Sequence, residues 1–151
     1  MPVELLSPEQ ARRYGLFAGD PSPQQLARFF HLDDADRAHI DLRTRDHTRL
    51  GFATQLGTVR FLGTFLDDPV AVPANVAAYL AAQLDIPDPA CLARYTLRAT
   101  TAREHAAEIQ RIYGYHHFSA QPQHFRPVRW LYTRSWLSAE RPIMLFDLAT
   151  A

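Results

Sequence analysis

The sequence predicts an all-α fold, a single domain of about eight or nine helices around one buried central helix. Three observations point to it. The stretch His47–Pro69, HTRLGFATQLGTVRFLGTFLDDP, is apolar nearly all round at helical spacing. Phe52, Leu56 and Val59 fall on one side of it, Leu50 and Phe61 on the other, and a helix of that kind is buried on most sides. The chain's 11 prolines fall at helix starts and turns, where a missing N–H costs least. No run sustains the period-two alternation of a half-buried strand.

Each element has its own signal. Ser7-Pro8-Glu9-Gln10 and Ser22-Pro23-Gln24-Gln25 share one pattern. Each offers a Ser N-cap, Pro at the first helical position and Gln at the third, which makes a capping box. The first helix is short and stops at Gly15. The second carries Leu26, Phe29 and Phe30. Asp33 or Asp34 caps a helix bearing Ile40 and Leu42. The central helix runs from near Asp46 to near Leu62 and is followed by the turn Asp67-Asp68-Pro69. Gly51 and Gly57 lie inside it. Each costs about 1 kcal/mol against Ala, so each predicts close approach of another backbone. Arg49 and Arg60 share one longitude on this rod. Val72-Pro73 opens a helix with Val76, Tyr79, Leu80 and Leu84 at helical spacing. Pro87-Asp88-Pro89 starts a short helix through Leu92 and Tyr95. Thr100 or Thr101 caps a helix from near Ala102 to Tyr113, closed by Gly114. Tyr115–Gln123 reads as a loop rich in His and aromatics. A helix then runs from Phe125 or Arg126 to Leu137, and Ser138 caps a last one towards Ala151. Pro142–Ala151 carries no C-terminal helix signal, so the chain is expected to be a fragment of a longer protein.

The 151 residues suit one domain able to bury a sizeable core. Hydrophobic residues make up 47% and aromatics 11%, which excludes a disordered chain. Formal charge is zero, yet all 16 basic residues are Arg. GC-rich codon usage explains that blandly. A preference for planar groups that bind phosphate or carboxylate explains it functionally. Arg94 to Arg134 holds seven Arg, two acids and four His, a basic region in a neutral chain. The lone Cys91 excludes an internal disulfide and any Cys-based zinc finger. No signal peptide and no long apolar run are visible. A soluble, cytoplasmic protein with no membrane partner is expected.

Three residue sets invite a chemical reading. Glu104, His105, Glu108, His116, His117 and His124 group histidine with carboxylate. His105 and Glu108 are spaced i, i+3, but they point with different neighbours and no HExxH is present. A core or surface histidine is the better reading than a metal site. Asp33, Asp34 and Asp36, and Asp67 with Asp68, sit where Asp satisfies free backbone N–H groups. No phosphate loop, nucleophile elbow or Cys–His pair supports an enzyme. The third set is arginine with aromatics. Arg126, Arg129, Thr133 and Trp136 share a face of the 126–137 helix, with Tyr132 beside it. Arg43, Arg45, His47 and Arg49 form a basic group at the start of the central helix, where free N–H groups favour anions. The bland alternative is a solvated face with ion pairs, Arg49 or Arg60 pairing with Asp33, Asp36 or Asp41.

Four segments, LLSPEQARRYGLFAGDPSPQQLARFFHLDDADR (Leu5–Arg37), HTRLGFATQLGTVRFLGTFLDDP (His47–Pro69), TAREHAAEIQRIYGY (Thr101–Tyr115) and RWLYTRSWLSAERPIMLFDLATA (Arg129–Ala151), occur in one order over nearly the whole chain. Together they resemble the N-terminal region of transposases of class II replicative transposons, the Tn-three family. Thr48, the pair His116-His117 and Pro127 depart from that family's usual residues. The resemblance implies a longer parent protein. Its strand-transfer chemistry would belong to a C-terminal RNase H-like domain with three carboxylates and divalent metal. The part resembled here recognises terminal inverted repeats. The implied role is binding double-stranded DNA at transposon ends, with no catalysis and no cofactor in this piece. The rest of the transposase chain and a second copy of it, as a homodimer, are the other expected partners. Arg43, Arg45, His47 and Arg49 are the first expected DNA contacts; Arg103, Arg126, Arg129 and Arg134 are the second. The rival reading is an α-helical interaction module for transposase dimerisation or for docking the catalytic domain. Neutral overall charge favours it.

Overall fold

A computed structural model of the protein describes residues 7–116 and 129–130. Among them all regular structure is helical: α1 (Pro8–Arg13), α2 (Pro23–Phe29), α3 (Asp34–Ile40), α4 (Asp46–Leu62), α5 (Ala74–Gln83), a 3-10 helix (Pro89–Leu97) and α6 (Ala99–Tyr113). The chain divides into two compact units, one of Gly15–Tyr113 and one of Met1–Tyr14 with Gly114–Ala151. The helices expected over 126–137 and 139–151 lie outside the described residues, except that Arg129 and Trp130 are helical.

Local chemistry sets the helix starts. The Ser22 hydroxyl accepts from the Gln25 N–H at 3.2 Å, and the Gln25 side chain accepts from the Ser22 N–H at 2.8 Å. Asp33 and Asp36 make the same reciprocal box at the head of α3, at 2.8 and 3.2 Å. Asp88 caps the 3-10 helix through the Ala90 N–H, at 2.9 Å. One expectation is corrected. α6 begins at Ala99, so Thr100 and Thr101 lie inside its first turn instead of capping it. The Arg98 carbonyl accepts from the Thr101 N–H at 3.1 Å, and backbone satisfies what a side-chain cap would have.

In α4 every residue from Leu50 to Val59 is buried. α2, α3, α5, the 3-10 helix and α6 all pack against it. The glycines explain part of this closeness, with a second correction. A Cβ at Gly51 would lie 2.2 Å from the Tyr95 ring, and one at Gly57 would lie 2.4 Å from the Phe30 ring. The glycines admit aromatic side chains, not another backbone. Gly63, at φ +74°, ends the helix with its N–H bonded to the Val59 carbonyl. Phe61 gathers Phe17, Phe29 and Phe30 at centroid distances of 5.6, 5.4 and 5.6 Å. Gln83 of α5 ties down the α2–α3 connection, donating to the Phe30 carbonyl at 2.8 Å and accepting from the Leu32 N–H at 2.9 Å.

Two contacts fix the relation of α4 to α6. The Phe52 ring meets His105 at 5.3 Å, and the Arg60 guanidinium lies 5.3 Å from the Tyr113 ring. The pairings advance in the same direction along both helices, so the two run parallel. Their N-termini therefore open at the same end of the unit.

Candidate nucleic-acid interface

A groove of about 600 Å³ lies at that shared end, lined by Leu42, Arg43, Thr44, Arg45, His47, Thr48, Arg94, Tyr95, Leu97, Arg98, Thr101 and His105. Its floor is a buried polar network. Arg43 donates from Nη2 to the Glu108 carboxylate and from Nη1 to the His39 carbonyl. Its Nε–H meets His105 Nε2 at 3.4 Å, and its guanidinium covers the Phe52 ring at 3.9 Å. That contact makes His105 Nε2 the acceptor and leaves Nδ1 to carry the proton. Nδ1 then donates to the Tyr95 hydroxyl at 2.8 Å. Gln55 Nε2 donates to the same hydroxyl at 2.6 Å and to the Ala102 carbonyl at 2.9 Å. Burial first, and the Arg43 charge second, push the His105 pKa down to about 4. Burial pushes the Tyr95 hydroxyl well above its ordinary value. Both groups are neutral at pH 7 and act as structure.

The expected contacts separate on this geometry. Arg43 is only 11% exposed at its side chain and its donors turn inward. It holds α6 and the α3–α4 turn together while lining the groove. Arg49 pairs with Asp41 at 2.9 Å and lies 3.7 Å from Asp46, and it does not line the groove. Arg45 and His47 do line it, and so do Arg94 and Arg98, which the sequence reading does not single out. Arg45, Arg94 and Arg98 are exposed. Among the described residues none of these three makes an ion pair or a side-chain hydrogen bond. Arg45 stands at the N-cap of α4, with no side-chain cap, and Arg98 immediately precedes α6. Arg carries no acceptor for the free N–H groups that a Ser or Asp would satisfy there. That is a sequence signal for this end, visible once the helix starts are known. Both helix dipoles also direct positive potential into the groove. His47 is pushed below the ordinary histidine value by burial, then by Arg94 and Arg45, against the weaker pull of Asp46.

A family described as "Domain of unknown function (DUF4158)" matches residues 5–151. The chain belongs to this family. It is 52% identical over 151 residues to the transposase for transposon gamma-delta of Escherichia coli (strain K12), covering 100% of this chain and 15% of that protein. It is 33% identical over 135 residues to the transposase for transposon Tn3926 of Escherichia coli, covering 88% of this chain and 13% of that protein. It is 37% identical over 110 residues to the transposase for transposon Tn501 of Pseudomonas aeruginosa, covering 73% and 11%. The chain thus matches the N-terminal region of Tn-three-family transposases and spans about 15% of the length of the first of these relatives.

The remaining candidate residues of this DUF4158 chain are not among those lining the groove. Arg103, in α6, is exposed and does not line it. Arg129 is exposed and belongs to the other unit; Arg126 and Arg134 lie outside the described residues. Among the described residues no group of three or more His, Cys, Asp and Glu is placed to hold a metal ion. His105 and Glu108 both face the Arg43 guanidinium, which occupies the place a cation would need. Among the described residues no helix is long and apolar enough to cross a membrane.

Proposed function

We propose that this DUF4158 chain binds double-stranded DNA at the terminal inverted repeats of a transposon, as the non-catalytic N-terminal part of a transposase. The groove at the N-termini of α4 and α6 is the phosphate-binding surface in this reading. Arg45, Arg94 and Arg98 are its main contacts, with His47, which lines the same groove; Arg103, outside the groove, stays proposed with the second contact set. One observation carries it: three arginines with no acid partner among the described residues converge at the N-termini of two helices, where the dipoles favour anions. Phosphate contacts of this kind position a protein on DNA, while base reading needs other groups. Arg126, Arg129 and Arg134 stay proposed as a second contact set. The metal-dependent chemistry of strand transfer is assigned to the rest of the transposase chain, a partner of this part, as a second copy is. The working place is the bacterial cytoplasm, on the nucleoid.

A mobility shift on the element's own terminal repeat, against scrambled duplex, tests this. With three or four phosphates neutralised, log affinity should fall with log salt at a slope of about −3 to −4. Absence of any shift, or a slope near zero, would favour the interaction module for dimerisation or docking.

A further inference from the structure

Two residues of the groove do not fit a purely ionic surface. Leu42 and Leu97 line it, yet they are 72% and 79% exposed. Neither sits on a loose loop. Leu42 lies between Ile40, which is fully buried, and Arg43, which is anchored through His39, His105 and Glu108. The Arg43 N–H also bonds to the Ile40 carbonyl at 3.0 Å, closing the turn. Leu97 ends the 3-10 helix two residues after Tyr95, which Gln55 and His105 hold. Each leucine is thus presented outward from an anchored backbone, beside a cationic lip.

A protein partner would be expected to meet a contiguous apolar patch with charge depleted at its centre. Here isolated leucines stand among arginines. The surface that offers apolar contact directly beside phosphates is the edge of a nucleic-acid duplex. Minor-groove binders use this combination, apolar wedges at a base step and cations outside it. Resting on the DNA-binding reading above, we propose that Leu42 and Leu97 enter the minor groove of the bound duplex and unstack a base step. Arg45, Arg94 and Arg98 hold the flanking phosphates. The bound DNA is bent towards its major groove at that step.

The test uses the whole chain and duplexes of the terminal repeat carrying aminopurine at successive positions. Binding should raise fluorescence several-fold at one step and leave the others flat. Replacing Leu42→Ser with Leu97→Ser should abolish the rise and reduce the bend, with helicity and the salt slope unchanged, because both side chains are exposed. Wild-type binding with flat fluorescence at every position would overturn this inference and leave DNA binding standing. So would a double variant that keeps the rise. A wild-type chain that binds no duplex would overturn the DNA-binding reading itself, and this inference with it.

Discussion

The two ends of α4 use the same residue type in opposite ways. At the C-terminal end Arg60 turns inward and grips Asp36 with both Nη atoms, each at 2.8 Å. The Asp36 side chain is 2% exposed, and the Tyr113 hydroxyl donates to it at 2.7 Å. At the N-terminal end Arg45, Arg94 and Arg98 face the groove with no acid of their own among the described residues. The first arrangement solves a problem internal to the fold: a buried carboxylate must be paired. Burial pushes the Asp36 carboxyl up, but hydrogen bonds from Arg60 and Tyr113, with the Arg60 charge, outweigh it and hold it below its ordinary value. The second arrangement creates a problem. Cations beside helix N-termini oppose the dipole, by about 0.3–1 kcal/mol each. Asp46, in the first turn of α4, leans towards Arg49 and does not neutralise the groove. Stability alone gives no reason to assemble such a site, and an anionic partner does.

The contrast breaks most visibly at Arg60. Arg60→Ala leaves Asp36 buried with its main partner gone, and should cost about 3–5 kcal/mol. Chemical denaturation measures it. Replacing both members with apolar residues of similar volume should recover much of the loss. An unchanged midpoint for the single variant would show that this end, too, is a solvated ion pair.

A slightly smaller effect belongs to the groove floor. His105 is held near pKa 4 in the fold, against an ordinary value of 6.5. The unfolded chain takes up the proton first as pH falls. The stabilising contribution is therefore complete above about pH 6.5 and is lost as pH falls towards about 4, amounting to about 2–4 kcal/mol. His105→Gln should be less stable at pH 7 and should flatten the stability profile across that window. A wild-type profile already flat from about pH 6.5 to about pH 4 would mean that His105 is not buried neutral.

The distinction between the two kinds of arginine marks where sequence reading ends. α4 is legible to its terminal residues, and so are the Ser22–Gln25 capping box and the Asp33 N-cap, because those signals are local: apolar spacing, a Ser or Asp, and, for Ser22, a Gln three residues on. The pairing of Arg49 with Asp41 and of Arg60 with Asp36 is within reach, since the acids lie nearby in sequence. The pairing of Arg43 is out of reach because its partners His105 and Glu108 arrive from α6, more than sixty residues later. Arg94 and Arg98 escape notice for a related reason. They become groove residues only when the parallel packing of α4 and α6 brings the two helix starts together. The glycines of α4 announce a close neighbour but not that it is a ring.

On the open side of the contrast, stability and binding should come apart. Arg94→Ala with Arg98→Ala should change folding stability by no more than about 0.5 kcal/mol, as exposed substitutions do. Relief of local repulsion can even make the change favourable. The same pair should weaken binding to all duplexes and make the salt slope shallower by about 2 units, one for each phosphate no longer neutralised. Arg43→Ala should show the reverse order, with stability falling first. If Arg94 and Arg98 prove dispensable for binding, the DNA surface lies with Arg126, Arg129 and Arg134.

The smallest effect falls on His47, and it tests the groove without removing any arginine. Burial, then Arg94 and Arg45, hold its pKa below the ordinary value, so it is neutral in the free protein near pH 7. A bound phosphate chain offsets both guanidinium charges and adds an attractive charge of its own, so the pKa rises on binding. A group that takes up a proton on binding makes affinity rise as pH falls. Between about pH 7.5 and about pH 5.5, spanning the ordinary histidine pKa of about 6.5, wild-type affinity should rise several-fold more than that of His47→Gln. A fall in affinity with acid would mean that DNA covers the ring and desolvation wins. Identical pH profiles for the two proteins would place His47 outside the contact, and the groove with it.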